Sequence, residues 1–255
     1  MYYLSDGVLY RDRQEVKVDA YLVYICDIVD DCCAIDIDGN VWYIGKFGTR
    51  KFDELSDIVY IHYDRECECT IAVTNSGVEL CCGMIGGDIE EATVMDAPYK
   101  AKKSFILIAL DQDHKLYDGE FERIPGILAK DVYSYGSHSF VVDLDDNLWI
   151  INGSYGPSQT NLTNVAVLGE GVVCLANGNI LIYKEFQFYS ILNMPDVEFL
   201  VYNSRESALY VLQQDGTLSR IVLTNQIVIS NEVYAQGVTS ISGQVKKWTN
   251  TKSAK

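Results

Sequence analysis

One short phrase occurs seven times along this chain and limits its fold more than any other feature of the sequence. In each copy an apolar segment is followed by a polar turn and then by further apolar residues. The turns are Asp6-Gly7, Asp38-Gly39, Ser76-Gly77, Asp113-His114, Asp145-Asp146, Asn177-Gly178 and Asp215-Gly216. Their first residues are separated by 32, 38, 37, 32, 32 and 38 positions, which is a period of about 35 residues. Because Asp-Gly and Asn-Gly favour two-residue hairpin turns with positive φ at both positions, each phrase predicts a β-hairpin.

Two further positions keep the same register. The second residue after each turn is apolar in six of the seven copies, which predicts a core position: Leu9, Val41, Glu79, Leu116, Leu148, Ile180 and Leu218. An acidic or amide residue before valine or isoleucine recurs ahead of the hairpins: Asp57-Ile58, Asp131-Val132, Asn164-Val165, Asp196-Val197 and Glu232-Val233. This second marker predicts an additional strand in each repeat.

The repeat length predicts the fold class. Four strands of about five residues with short turns need about 32 residues, so each repeat predicts one four-stranded antiparallel blade. Seven repeats predict an all-β chain with a single seven-bladed β-propeller over residues 1–244, followed by a basic C-terminal tail over 245–255. The last predicted strand, near residues 232–236, has no hairpin of its own. We therefore expect the N- and C-terminal strands to share one blade with the hairpin at residues 2–10 and to close the ring.

Charge and hydropathy limit the partners. The chain has 36 acidic and 20 basic residues, a formal charge of −16 and a pI near 4.5. Such a surface repels phosphate backbones, so we expect no direct nucleic-acid binding and a protein partner with a basic or neutral surface. The N-terminus lacks the features of a signal peptide, and no run approaches the roughly 18 apolar residues of a membrane span. These observations predict an intracellular protein, cytoplasmic or nuclear, that does not bind membranes.

The cysteines allow two interpretations. They are Cys26, Cys32, Cys33, Cys67, Cys69, Cys81, Cys82 and Cys174. Cys67-x-Cys69 near Cys81-Cys82 could supply zinc ligands, because alternate residues of a strand share a face. However, adjacent cysteines point to opposite faces of a strand, and Cys-x-x-Cys is absent from the sequence. We favour reduced, buried thiols and predict no metal site.

The acidic turns and the histidines predict no cofactor and no catalytic residue. Asp36-x-Asp38-Gly39-Asn40 and Asp143-x-Asp145 resemble fragments of calcium loops, but the distal bidentate Glu of such loops is missing. Turn chemistry explains these aspartates instead. His62, His114 and His138 are dispersed and do not form a catalytic motif. We therefore expect no enzymatic activity.

Two of the repeats resemble a known family. The best copy runs from Asp131-Val132 through Tyr135-Gly136-Ser137-His138-Ser139-Phe140-Val141-Val142 to Asp145-Asp146-Asn147-Leu148-Trp149, and a second covers Ala34 to Gly45 with Val41-Trp42. These segments resemble the repeats of the regulator-of-chromosome-condensation family, in which a His-Ser strand and a glycine turn precede Val-Trp. The resemblance implies a seven-bladed propeller with a binding role. The repeats here are shorter, and no insertion resembles the wedge of the family's exchange factors, so nucleotide exchange is little supported.

Together these features predict a non-enzymatic protein-binding scaffold of this propeller type. The predicted interaction residues are aromatic and arginine side chains in the loops after the hairpins, because these residue types dominate binding energy: Phe47, Arg50, Phe121, Arg123, Tyr155, Phe186, Phe188 and Tyr189. Two alternatives stay open. One is a regulator associated with chromatin or a small GTPase, which salt-sensitive histone binding would identify. The other is an enzyme or lectin with a site in the central channel, which a substrate screen would identify.

Overall fold

The computed structural model describes residues 1–28, 31–46, 48–64, 69–85, 88–152, 156–203 and 206–241. These residues form 27 β-strands, and the described part of the chain contains no helix. Accordingly, nothing in these ranges is long, helical and apolar enough to span a bilayer. The short strands follow from the frequent turn residues and the bursts of β-branched and aromatic residues between them.

The strands form six antiparallel sheets, five of which have four strands. The first sheet contains, in order, β27 (Ser240–Ile241), β1 (Tyr2–Ser5), β2 (Val8–Arg11) and β3 (Gln14–Val16). The second contains β4 (Leu22–Ile28), β5 (Asp31–Asp36), β6 (Val41–Gly45) and β7 (Gly48–Phe52). The third contains β8 (Ile58–Asp64), β9 (Cys69–Thr74), β10 (Glu79–Ile85) and β11 (Asp88–Val94). The fourth contains β19 (Val165–Gly169), β20 (Val172–Leu175), β21 (Asn179–Lys184) and β22 (Gln187–Asn193). The fifth contains β23 (Val197–Asn203), β24 (Ala208–Gln213), β25 (Leu218–Thr224) and β26 (Ile227–Ala235).

The remaining sheet has seven strands because one long strand serves both of its halves. Its order is β12 (Ala101–Phe105), β13 (Ile108–Asp111), β14 (Lys115–Asp118), β15 (Arg123–Tyr135), β16 (His138–Asp143), β17 (Leu148–Asn152) and β18 (Gly156–Gln159). The beginning of β15 pairs with β14, with Ile124 opposite Leu116, and its end pairs with β16, with Val132 opposite Val141. The structure therefore has six sheets where the repeats predicted seven separate ones.

The two ends of the described chain meet in the first sheet. Tyr3 pairs with Ile241 and Leu4 pairs with Ser240. The strand expected near residues 232–236 does not make this contact, so that assignment was wrong. Glu232 instead pairs with Arg220 as part of β26, the outer strand of the preceding sheet. β26 follows β25 through a tight hairpin, and such local pairing costs less chain entropy than a contact between the two ends of the chain.

All seven predicted turns join neighbouring strands in hairpins, but six of them have a different conformation from the one expected. Only Asp6-Gly7 has positive φ at both positions, 49° and 77°. In the other six, only the second residue has positive φ, as at Gly39 with 81°. There the N–H of Gly39 donates to the carbonyl of Asp36 at 3.0 Å, and the N–H of Asp36 donates to the carbonyl of Asn40 at 3.0 Å. This is a three-residue loop with a glycine-type bulge, which needs positive φ at one position only.

The core is continuous between the sheets. The seven positions that follow the turns are all buried, including Glu79. The first strands of neighbouring sheets contact each other, for example β4 with β8 and β19 with β23. Aromatic rings fill the space between several of these strands: the ring centroids of Tyr24 and Tyr60 are 6.0 Å apart, those of Tyr60 and Phe105 are 6.2 Å apart, and those of Phe105 and Tyr133 are 5.4 Å apart.

Candidate protein-binding face

A recurring hydrogen bond connects each turn to the repeat that follows it. The carbonyl of the second turn residue accepts an N–H from the following repeat. The donor lies in or just before the strand that comes first in that repeat. The seven bonds are Leu22 to Gly7 (3.1 Å), Ile58 to Gly39 (2.9 Å), Ala101 to Gly77 (2.9 Å), Ala129 to His114 (2.8 Å), Val165 to Asp146 (2.9 Å), Met194 to Gly178 (2.9 Å) and Val238 to Gly216 (3.0 Å). These equivalent contacts place the turns along one side of the molecule, which we call the turn face.

A second hydrogen bond explains the acidic or amide marker of the sequence. The carbonyl just before a first strand accepts an N–H from the turn of its own repeat, as in the bond from Asn75 to Asp57 at 2.8 Å. Asp57, Asn164 and Asp196 have φ of 59°, 58° and 55°. Asp and Asn tolerate this left-handed conformation better than most residues. The other two copies of the marker differ, because Asp131 and Glu232 lie inside strands.

Two of the turns are capped by a buried or half-buried aspartate and a tryptophan. Asp36 accepts the backbone N–H groups of Asp38 and Asn40 at 3.0 and 2.9 Å and the indole N–H of Trp42 at 2.9 Å. Burial alone would raise the pKa of Asp36, but the bonds from Trp42 and Asn40 outweigh it, and the pKa lies below its ordinary value. The same network surrounds Asp143. The aspartates that resembled calcium ligands therefore stabilise turns.

The turn face is rich in acidic residues. Exposed acidic side chains at or beside the turns are Asp6, Asp19, Asp38, Asp53, Glu54, Asp57, Asp96, Asp113, Asp145, Asp196 and Asp215. The basic side chains in the same segments are Lys17, Lys100, Lys102, Lys115 and Lys130, of which Lys115 and Lys130 form ion pairs with Asp113 and Asp146. Acidic side chains therefore outnumber basic ones on the turn face.

Exposed apolar side chains interrupt this acidic surface. Tyr21 and Ile37 are 50% and 56% exposed and are neighbours, because the N–H of Ile37 donates to the carbonyl of Tyr21 at 3.0 Å. Leu128 and Leu144 form the equivalent pair, each 48% exposed, with an N–H to carbonyl distance of 3.0 Å. Our sequence analysis did not select these four residues. Apolar residues inside polar turn segments were the signal that could have identified them.

A small cavity of about 130 Å³ lies between β12, β15, β19 and β23. Lys103 contributes to its lining with a side chain that is only 3% exposed, and its ammonium group lies 3.0 Å from the carboxylate of Asp131. The same ammonium lies 4.6 Å from the ring centre of Tyr133. Burial lowers the pKa of Lys103, and the negative charge of Asp131 opposes that shift. Lys130, which also lines the cavity, donates to the carbonyl of Val165 at 3.2 Å.

Six of the eight predicted interaction residues lie in the described structure, in hairpins at the ends of the strands opposite the turn face. Phe47 and Tyr155 are outside the described residues. Arg50 lies against the rings of Tyr43 and Phe52, with its guanidinium carbon 5.7 and 5.4 Å from their centres. Phe121 is half-buried beside Tyr99, with ring centres 6.2 Å apart, and Arg123 begins β15.

The remaining three predicted residues belong to one hairpin and differ in exposure. Phe188 and Tyr189 are half-buried, and the ring of Phe188 packs 5.0 Å from that of Tyr183. Phe186 is 78% exposed, and its ring lies 5.6 Å from that of His138. The structure therefore places two of these aromatic residues largely in packing contacts and leaves Phe186 available to a partner.

The cysteines and histidines are distributed through the sheets. The seven described cysteines form no disulfide with one another, and Cys67 lies outside the described residues. Burial raises the pKa of Cys33, with Cys26 and Cys82 adding to the shift. Among the described residues, no three His, Cys, Asp or Glu side chains are grouped closely enough to hold a metal ion. His114 contacts the carbonyl of Ala129 through Nδ1 at 2.9 Å.

Comparison with known proteins identifies the fold. The chain is similar to BBS1N in its complex with ARL6DN (16% identity, 86% of this chain and 84% of that chain, TM-score 0.59). It is also similar to the β-propeller domain of Cps50 (Swd1) from Myceliophteria thermophila (10% identity, 86% and 88%, TM-score 0.59) and to apo AztD from Citrobacter koseri (13% identity, 91% and 80%, TM-score 0.55). No family model and no curated protein matches the chain. The chain is thus an all-β protein with a β-propeller fold.

Proposed function

We propose that this chain is a non-enzymatic scaffold that binds a protein partner through the turn face of a seven-bladed ring. The seven turn-to-strand hydrogen bonds support the count of blades, since the bond from Val238 to Gly216 continues the series into the sheet that contains both chain ends. The two halves of β15 then belong to different blades. A ring held by repeated backbone bonds is rigid, and rigid surfaces bind at a lower entropic cost.

The observation that carries the proposal is the pairing of exposed apolar residues on an acidic surface. Tyr21 with Ile37, and Leu128 with Leu144, offer apolar contact area on a face that is otherwise polar. Interfaces combine such apolar centres with a charged rim. The excess of aspartate favours a partner with a basic or neutral surface.

The first experiment uses a photo-crosslinking amino acid at position 37 or 144, with position 107 as the matched control. Leu107 is 44% exposed and lies in the β12–β13 turn, at the other end of the strands. We expect a discrete protein adduct from Ile37 and Leu144 in extracts of expressing cells, none from Leu107, and a weaker adduct in high salt. Equal adducts from all three positions would reject the turn face as the binding surface.

The family resemblance remains part of this proposal. The segments around His138 and Trp42 support membership of the regulator-of-chromosome-condensation family. An acidic turn face also suits basic histone surfaces, which favours the chromatin-associated alternative over the small-GTPase one. Salt-sensitive binding of purified histones tests the chromatin-associated alternative.

The channel-site alternative has less support, because Tyr24, Tyr60 and Phe105 occupy the space between the first strands of neighbouring sheets. An intracellular location completes the proposal.

A further inference from the structure

The outer strand β26 has an open edge with exposed apolar side chains. β26 has nine residues and pairs with β25 on one side only. Ile227, Ile229 and Val233 on this strand are 65%, 62% and 57% exposed. The unpaired N–H and C=O groups of such an edge recruit other strands unless charge, proline or short length prevents it.

Most other outer strands carry one of these protective features. β3 is three residues long, β7 contains Arg50 and Lys51, β11 contains Asp88, Glu90 and Glu91, β18 contains Pro157, and the first half of β15 contains Pro125. β22 has no charged residue, but its apolar side chains are half-buried: Phe188, Tyr189, Ile191 and Leu192. β26 is consequently the outer strand with the most exposed apolar surface in the described structure.

The charge on β26 is nearly neutralised. Glu232 is the one charged residue in the sequence of this strand. Its carboxylate lies 3.5 Å from the guanidinium of Arg13 and 3.8 Å from that of Arg220. In a chain with a net charge of −16, this edge is a surface where a second acidic molecule can approach without strong local repulsion.

We propose that β26 pairs antiparallel with β26 of a second copy of this chain, with the two-fold axis at Asn231. This register places Ile229 of each copy opposite Val233 of the other, and Ile227 opposite Ala235. The apolar residues are therefore self-complementary, as a two-fold interface requires. The pairing of β26 with β25 is regular from Ser230 to Val233 and has register shifts at Ile229 and Tyr234, so the regular segment lies at the proposed axis and the apolar pairs lie at its two ends. This proposal is independent of binding at the turn face.

Sedimentation equilibrium of the full chain, with Ile229→Lys and Val233→Lys variants, tests the proposal. We expect a reversible dimer that tightens in high salt, because salt screens the repulsion between two acidic molecules. Each substitution should weaken the dimer at least about tenfold, because it replaces two apolar pairs and adds like charges. Val94→Lys is the matched control, since Val94 is 63% exposed at the end of another outer strand, and it should leave the dimer unchanged.

A cysteine substitution tests the register. Asn231→Cys places two thiols at the proposed axis, so mild oxidation should give an intermolecular disulfide absent from the wild type and from Val94→Cys. Unchanged thermal unfolding of each variant shows that the fold is intact. A monomer at all concentrations and salt conditions would overturn the proposal. A dimer that resists both lysine substitutions, or equal crosslinking of the two cysteine variants, would overturn it as well.

Discussion

The indole N–H of Trp42 donates a hydrogen bond to the carboxylate of Asp36, six residues earlier, at 2.9 Å. Trp149 makes the same bond to Asp143 at 2.8 Å. The two pairs occupy equivalent places in two repeats and join a turn to the strand that follows it. They show that the acidic turns of this chain have a structural role in addition to their effect on surface charge.

Replacing Asp36 should destabilise the fold. Asp36→Ala removes the acceptor of several N–H groups, and we expect a loss of about 1 to 3 kcal/mol in the free energy of unfolding. Because the folded pKa of Asp36 lies below its ordinary value, its contribution is present above the unfolded pKa near 3.8 and is lost as the pH falls through the folded pKa. Urea unfolding at pH 7 and at pH 3 measures both effects. Asp38→Asn, on the exposed side of the same turn, should change stability little.

Glu79 should lower the stability of the core. It occupies a position that is apolar in the other six repeats, it is 1% exposed, and no hydrogen bond of good geometry to its carboxyl oxygens is found in the described structure. Burial raises its pKa, and the hydroxyls of Tyr99 and Ser104 are close enough to oppose that shift in part.

Substituting Glu79 tests this weakness. A raised folded pKa means that the stability of the protonated form is fully present below pH 4.5 and is lost as the pH rises through the folded pKa. Glu79→Gln should therefore raise the melting temperature at pH 7 to 8 and change it little near pH 4. Calorimetry across this range measures the effect, with the exposed Glu54→Gln as control. A lower melting temperature for Glu79→Gln at pH 8 would contradict the argument.

The ion pair in the cavity, in which Lys103 is buried and Asp131 is partly exposed, should depend on both partners. Lys103→Met leaves Asp131 without its ammonium partner, and Asp131→Leu leaves a buried ammonium without its carboxylate. Asp131→Leu should cost about 3 kcal/mol in unfolding free energy because it leaves the buried ammonium unpaired, whereas Lys103→Met should cost less because water can solvate Asp131, whose side chain is 38% exposed. The double change should recover most of the loss. Chemical denaturation of the four proteins measures the coupling. Additive losses in the double variant would show that the two charges act independently.

The contact between β1 and β27 should be essential for stability. Deleting residues 240–255 removes β27 and exposes the inner edge of β1, where each unpaired buried backbone group costs about 1 to 3 kcal/mol against a typical stability of about 5 to 15 kcal/mol. We expect aggregation or a much lower melting temperature. Removing only residues 245–255 should change the melting temperature little. If the longer deletion unfolds within a few degrees of the full chain, the contact between β1 and β27 contributes little.

Much of the local structure was predictable from the sequence. Turn residues and apolar positions depend on neighbours a few residues away, so the seven hairpins and buried positions such as Leu9 and Leu148 could be located without coordinates. The acidic marker at Asp57 also has a local cause, because its left-handed backbone conformation favours Asp or Asn. The all-β class followed from these local features.

Tertiary contacts decided the rest. Which strand meets Tyr3 depends on residues more than 200 positions away, and the partner proved to be Ile241 rather than the segment near Glu232. The exposure of individual side chains was equally unpredictable from the sequence. Phe188 and Ile37 are both apolar residues near turns, yet only Phe188 packs against neighbouring rings. The sequence by itself determined where the chain turns and which residues prefer the interior. Only the tertiary structure decided which strands pair at a distance and which apolar side chains stay in water, because burial depends on contacts between distant parts of the chain.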